Sequence, residues 1–166
     1  KAYVYYLQHV IEPMQPISPQ AEISVQFGTE NTVEQTLKSL AKRLVDASGE
    51  TAIVAFDPSW TYYTGISNLL GKPDFSDSEL LRSITLLVDQ FDEVVGRMYP
   101  LVHDQTVVYI GSQNPFGNQM ATVLVKYKIS GAQEGLLGLV GPIRMNYGRN
   151  IALIEEAKEM MMDLYA

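Results

Sequence analysis

The chain has 166 residues, enough for one domain with its own core, and a formal net charge of −7. It contains no cysteine, which excludes disulfides and thiolate zinc sites and suits a cytoplasmic protein. No apolar run approaches the roughly 18 residues of a membrane-spanning helix, and no secretory signal pattern opens the chain. The twelve basic residues are scattered, so we expect no DNA-binding surface within this chain.

The first 20 residues predict a helix followed by a stiff link. Apolar side chains recur at helical spacing at Tyr3, Tyr6, Leu7 and Val10, and this stripe is a candidate dimer contact. Three prolines between 13 and 19 then favour an extended linker. Residues 21–27 alternate apolar and polar side chains, as a half-buried strand does, so we place a folded domain over residues 21–166.

The middle of the chain predicts two helices and one or two strands. Thr32 and Gln35 form a capping box that opens a helix ending at Gly49, and the apolar run 51–56 suits a central strand. Residues 60–71 fit a helix and a strand equally well. A second capping box, at Ser76 and Glu79, predicts a single long helix over about 77–98.

The last third predicts strands at 106–111, 120–129 and 134–140, followed by a helix over 147–164. A tight turn at 130–131 joins the two later strands, which therefore read as an antiparallel hairpin. Gly141 and Pro142 end the last strand, because proline removes a backbone donor. The expected fold is α+β, a GAF-like, mainly antiparallel sheet with helices packed on its faces.

We find no catalytic, metal-binding or cofactor-binding constellation in the sequence. His9 and His103 are far apart, and the carboxylates near Glu155 fit a solvated helix face. Phe116 lies in a segment of turn-forming residues and is a weaker candidate for an exposed contact with a partner. Arg144 precedes a helix, where a basic charge opposes the dipole, so a salt bridge or interface contact is preferred over an anion site.

Several stretches together resemble one family. Residues 135–149, GLLGLVGPIRMNYGR, closely resemble the C-terminal signature of the HrcA family of heat-inducible transcription repressors. Residues 110–115 resemble its IGxEN segment, residues 65–75 its GLSNLL…PEF segment, and residues 1–12 the exit from its winged helix. The resemblance covers nearly the whole chain in family order. It implies structural roles for Gly65, Ser67, Asn68, Phe75, Gly111, Asn114, Gly138, Gly141, Pro142, Arg144, Met145 and Tyr147.

The resemblance also implies a function and partners. Family members carry a winged helix that binds an inverted-repeat operator ahead of chaperone genes, then a GAF-like domain with a dimerising insert. This chain begins at Lys1 without the winged helix, so we expect a piece of a longer protein that binds operator DNA only through that domain. The short connection between residues 56 and 65 leaves no room for the insert. A GroEL-type chaperonin is the implied partner, and two-fold symmetric operators imply a homodimer.

Two further expectations follow from these features. The domain is expected to be heat-labile, with the run Met160, Met161 and Met162 in its last helix as one sign of adaptable packing. An alternative function is that of a GAF-type small-molecule sensor. In that case Tyr62, Tyr63 and Arg144 would line the ligand pocket.

Overall fold

A computed structural model describes residues 32–72, 78–129 and 133–165. Several expectations lie outside these ranges: the helix over 1–12 with its dimer stripe, the proline-rich link, the strand over 21–27, the cap at Ser76, the motif residue Phe75 and the turn at 130–131. No helix in the described ranges has the length and apolarity to cross a membrane.

A five-stranded sheet forms the centre of the domain, and every neighbouring pair of strands is antiparallel. The order across the sheet is β2-β1-β5-β4-β3. The late hairpin predicted from the sequence is the pair β4–β5 at the middle of the sheet. The strands are β1 Thr51–Asp57, β2 Trp60–Thr64, β3 Val107–Ile110, β4 Met120–Lys128 and β5 Glu134–Pro142.

Helices cover both faces of this sheet, which confirms the predicted fold class. Helices α1 and α5 pack on one face and form one apolar core with β1, β4 and β5. Helices α2, α3 and α4 lie on the opposite face over a second core. Short 3₁₀ turns follow α4 and β3, at Tyr99–Leu101 and Gly111–Gln113. The helices are α1 Val33–Ser48, α2 Ile66–Leu70, α3 Ser78–Asp89, α4 Phe91–Met98 and α5 Tyr147–Leu164.

The predicted first cap is present. The Thr32 side chain accepts a hydrogen bond of 3.1 Å from the Gln35 N–H, and α1 ends at Gly49, which has a left-handed φ of 72°. The ambiguous segment 60–71 contains both structures: β2 comes first, and α2 begins directly after Gly65.

The prediction of one long helix over 77–98 is wrong, because the structure has two helices that meet at Gln90. Gln90 has φ −107° and ψ 10°, outside the helical range. After the break, the centroid of the Phe91 ring lies 4.5 Å from the centroid of the Tyr63 ring. Leu87 and Val94 are buried on either side of it, so the apolar stripe continues across the break and the sequence pattern does not reveal it.

Two glycines let the central strand β5 accommodate large side chains of its neighbour β4. A Cβ atom on Gly135 would lie 2.1 Å from Cζ of Tyr127, its partner in the register. The Tyr127 ring crosses β5 at this point, and its hydroxyl donates a 3.0 Å hydrogen bond to the Ala55 carbonyl on β1. Burial raises the pKa of Tyr127, so the phenol keeps the proton that it donates. Gly138 likewise leaves space for the side chain of Leu124, its partner in the register, on the other face of the sheet.

We expect Gly135→Ala to lower the free energy of unfolding by about 1–3 kcal/mol or more, because the new methyl overlaps a buried ring. Gly96→Ala is the matched control. Nothing lies within 4 Å of a Cβ there, and alanine in helix α4 should stabilise by up to about 1 kcal/mol. Urea denaturation of the two variants measures both changes. Equal changes in the free energy of unfolding for the two variants would contradict the packing described for Tyr127.

Candidate functional site

The residues of the family-like motifs come together mainly at one end of the sheet. Thr51, the first residue of β1, pairs with Val140 near the end of β5, and Ala52 pairs with Thr64 at the end of β2. Met120, the first residue of β4, pairs with Pro142. The segments that follow β2, β3 and β5 therefore share this end with the α1–β1 connection. We call it the motif end.

Glu50 lies at the centre of the motif end, and its side chain is only 5% exposed. Its carboxylate Oε2 accepts a hydrogen bond of 2.9 Å from Lys72 Nζ. Its backbone carbonyl accepts one of 3.0 Å from Asn68 Nδ2, and its N–H donates to Ser48 Oγ at 3.0 Å. A carboxylate removed from water needs such partners, because an unpaired one would be costly to bury.

Two motif glycines leave the space that Glu50 occupies. A Cβ atom on Gly141 would lie 2.2 Å from Glu50 Oε2, and one on Gly65 would lie 2.9 Å from the Glu50 carbonyl oxygen. Gly65 also has a φ of 92°, which other residues rarely adopt. The Met145 sulfur lies 3.1 Å from the same Cβ position on Gly141. Gly65 and Asn68 thus contact the backbone carbonyl of Glu50, and Gly141, beside the Met145 sulfur, leaves space for its buried carboxylate.

The motif residue Asn114 holds the β3–β4 connection together. Its side chain is buried: Nδ2 donates to the Gly117 carbonyl at 3.1 Å, and Oδ1 accepts from the Thr122 hydroxyl at 2.7 Å. Gly111 turns the chain just before it with a φ of 61°. Phe116 of this turn is 4% exposed and packs in the core near Phe91, so it offers no exposed contact to a partner. The turn interpretation of this segment is the one that agrees with the structure.

The other motif residues are more dispersed. Gly138 lies in mid-sheet, Pro142 and Tyr147 are buried, and Ser67 and Arg144 are exposed. The Tyr147 hydroxyl donates to the Ile143 carbonyl.

A second arginine, Arg149, holds α1 and α5 together. Its Nη2 donates to the Ala47 carbonyl at 3.0 Å, at the C-terminal end of α1, where a cation also suits the helix dipole.

The pocket predicted for a small-molecule sensor is not formed by the residues proposed for it. Neighbours in a strand point to opposite faces, so Tyr62 packs on the α1 side of β2 and Tyr63 on the α4 side. Arg144 is exposed beyond the end of β5. A cavity beside Tyr63 has a volume of about 10 Å³, room for about one water molecule, whereas pockets for drug-sized ligands measure roughly 300–1,000 Å³.

Of the carboxylates of the last helix, Glu159 and Asp163 are exposed, as expected of a solvated face, and Glu155 makes a contact within the domain. Glu155 accepts a hydrogen bond from the Thr106 hydroxyl, and Lys158 donates to the Asp104 carbonyl, so both attach α5 to the segment before β3. Burial, with Glu159 as a second cause, raises the pKa of Glu156.

Across the described ranges, no three histidine or acidic side chains are grouped closely enough to hold a metal ion.

Sequence reasoning missed Glu50, Lys72 and Arg149. The available signal for Glu50 was its position between a helix-ending glycine and a buried strand, where an acidic side chain has little room to reach solvent. No comparable local signal marks Lys72 or Arg149, because their partners lie 22 and 102 residues away in the chain.

The fold is that of a GAF-like α+β domain, and its motif residues build a packed end of the sheet. Residues 7–151 match the family model of the HrcA protein C terminal domain. The chain therefore belongs to the HrcA family, as its motifs indicated.

Similar proteins carry the same family name. The heat-inducible transcription repressor HrcA of Halalkalibacterium halodurans is 33% identical over 110 residues, which are 63% of this chain and 32% of that protein. The repressor of the same name from Syntrophobacter fumaroxidans is 24% identical over 166 residues, 98% of this chain and 47% of that protein. The chain thus spans about half the length of these relatives or less.

A crystal structure described as that of a hypothetical protein has the same fold. Its TM-score is 0.74 at 12% identity, over 96% of this chain and 77% of that one.

Proposed function

We propose that this chain is the regulatory and oligomerisation domain of a heat-inducible transcription repressor of chaperone operons. The match of residues 7–151 to the HrcA C-terminal domain carries the proposal. The geometry of the motif end supports it, because Gly65 and Asn68 pack on the backbone carbonyl of the buried Glu50 and Gly141 leaves space for its carboxylate. Residues that serve packing in this way suit a domain that assembles or senses, and the chemistry of an enzyme is not needed to explain them.

We assign operator binding to a winged helix outside this chain. Besides the net charge of −7, the reason is that several basic side chains are engaged within the domain. Lys72 forms an ion pair with Glu50, and Lys126 Nζ lies 3.4 Å from Glu134 Oε2. Arg149 donates a hydrogen bond to the Ala47 carbonyl. Side chains held this way contribute little to the counterion release that drives DNA binding.

The dimer proposed for the repressor relies on the N-terminal stripe and not on an insert. Asp57 Oδ1 accepts hydrogen bonds from the N–H groups of Ser59 and Trp60, at 2.7 and 2.9 Å, which closes the β1–β2 connection into a tight turn. A dimerising insert between residues 56 and 65 would need to interrupt this hairpin. We therefore propose that Tyr3, Tyr6, Leu7 and Val10 form part of the dimer contact, as their spacing suggests.

We further propose that the domain is marginally stable and that a GroEL-type chaperonin helps it reach the active form. Asn150 supports the idea of low stability. It is 1% exposed, and within the described ranges neither side-chain Nδ2 nor Oδ1 has a hydrogen-bond partner. An unsatisfied buried group of this kind costs about 1–3 kcal/mol. Heating would then expose apolar surface and divert the repressor to the chaperonin, together with other unfolded proteins.

A gel-shift experiment on an inverted-repeat operator ahead of a chaperone gene tests this function. We expect the full-length repressor to shift the operator and the 166-residue chain alone to leave it unshifted. Adding a GroEL-type chaperonin with ATP should raise the fraction of full-length protein that binds. A scrambled repeat is the control. Failure of the full-length protein to distinguish the two DNAs would contradict the proposal, and a specific shift by the chain alone would contradict the assignment to the winged helix.

Light scattering tests the dimer contact separately. Leu7→Glu places a charge in the proposed stripe and should convert the full-length dimer to monomer, whereas Gln8→Glu, at the next position in the sequence and outside the stripe, should leave it dimeric. If both variants remain dimeric at micromolar concentration, the stripe is not the contact.

A further inference from the structure

Within the described part of the chain, three side-chain hydrogen bonds connect the short helix α2 and its flanking residues to two consecutive residues, Glu50 and Thr51. Thr51 Oγ1 donates to the Gly65 carbonyl at 3.0 Å, just before the helix. Asn68 Nδ2 and Lys72 Nζ donate to the carbonyl and carboxylate of Glu50 at 3.0 and 2.9 Å. All three polar contacts therefore depend on the Glu50–Thr51 dipeptide.

Apolar surface lies beneath α2. The Leu69 side chain, on the inner side of α2, is completely buried. Together with Ile66 it lines a small cavity, which Ile53 and Val140 of the sheet line from the opposite side. The outer side of the helix is open to solvent, with Leu70 47% exposed. Lifting α2 would widen this cavity, which Leu87 and Phe91 also line, into an apolar cleft on this face of the sheet.

Glycines stand at both ends of α2. Gly65, with its φ of 92°, precedes the helix, and Gly71 ends it. The turn itself is stabilised by its own backbone, since the Asn68 N–H donates to the Gly65 carbonyl and the Gly71 N–H donates to the Ser67 carbonyl. The helix can therefore move as a unit about residues that tolerate large backbone changes.

We propose that α2 is a lid, latched by the Glu50–Lys72 ion pair, which opens on warming before the sheet unfolds and uncovers this apolar cleft. The buried Leu69, two hydrogen bonds and a partly buried ion pair hold the lid, and such a pair contributes little net stability because desolvation offsets its attraction. The centre of the sheet is held far more firmly, since β4 and β5 share nine registered residue pairs. Local opening is expected where few contacts hold an element. Such a lid would supply the heat-responsive step of the proposed repressor, but it does not depend on that function.

Thiol labelling tests the lid directly, because the chain has no cysteine of its own. In the Val140→Cys variant the thiol lies on the sheet beneath the lid, and in the Val123→Cys control a similarly buried thiol lies on the other face of the sheet. Below the unfolding transition, we expect the first thiol to react about tenfold faster or more, with the difference growing on warming. Adding Lys72→Met should accelerate the first thiol about tenfold and change the second less than twofold, since it removes the ammonium group of the latch. Lys42→Met, an exposed lysine on α1, should change neither.

Equal labelling rates at the two positions, with equal responses to Lys72→Met, would show that the cavity opens only when the whole domain unfolds, and would overturn the proposal. Should the Val140→Cys variant fail to fold, amide hydrogen exchange of the unaltered chain gives the same test. The Asn68 and Gly71 amides must then exchange faster than those of β4 and β5, and exchange as slow as theirs would refute the lid. The operator assay does not enter either result, so the two proposals can fail separately.

Discussion

Glu50 holds a carboxylate inside the protein at the point where three chain segments meet, and the motif end depends on this arrangement. Lys72 supplies the opposing charge, Asn68 binds the backbone of the same residue, and Gly141 leaves the space for the carboxylate. The connection after β5 and the connection after β2 are thereby fixed to the start of β1. The buried position of Glu50 makes each of these neighbours necessary, because a carboxylate without them would be drawn back to water.

The glycines of β5 extend the same principle along the sheet. Gly135 admits the ring of Tyr127, Gly138 admits Leu124, and Gly141 admits Glu50. Because glycine has no side chain, the side chain of a larger residue can cross or approach the central strand at each of these three positions. The glycine pattern in the family-like signature is thus a packing pattern, which fits a domain whose proposed role is to assemble and regulate.

The sequence predicted the elements whose signals are local. The cap at Thr32, the strand after Gly49 and the late hairpin all follow from neighbouring residues, and the structure confirms them. The break at Gln90 escaped prediction, because the apolar stripe continues through it. Phe116 was considered as an exposed contact because turn residues surround it, yet tertiary packing buries its ring.

The site was harder to predict than the fold. The motif residues were identified by resemblance, but the group that unites several of them, Glu50, belongs to none of the quoted segments. Its importance comes from contacts with residues up to 91 positions away, at Gly141, and periodicity carries no information about them. The same limit applies to Tyr62 and Tyr63. They are adjacent in sequence, but strand geometry places them in different cores.

A double-mutant cycle between Gly141 and Glu50 tests this account most directly. Gly141→Ala should lower the free energy of unfolding by about 1–3 kcal/mol in the native sequence, because the methyl group overlaps the carboxylate. In a Glu50→Ala background the overlap is gone, and the same substitution should cost much less. If Gly141→Ala costs the same in both backgrounds, the carboxylate does not occupy that space, and the description of the motif end is wrong.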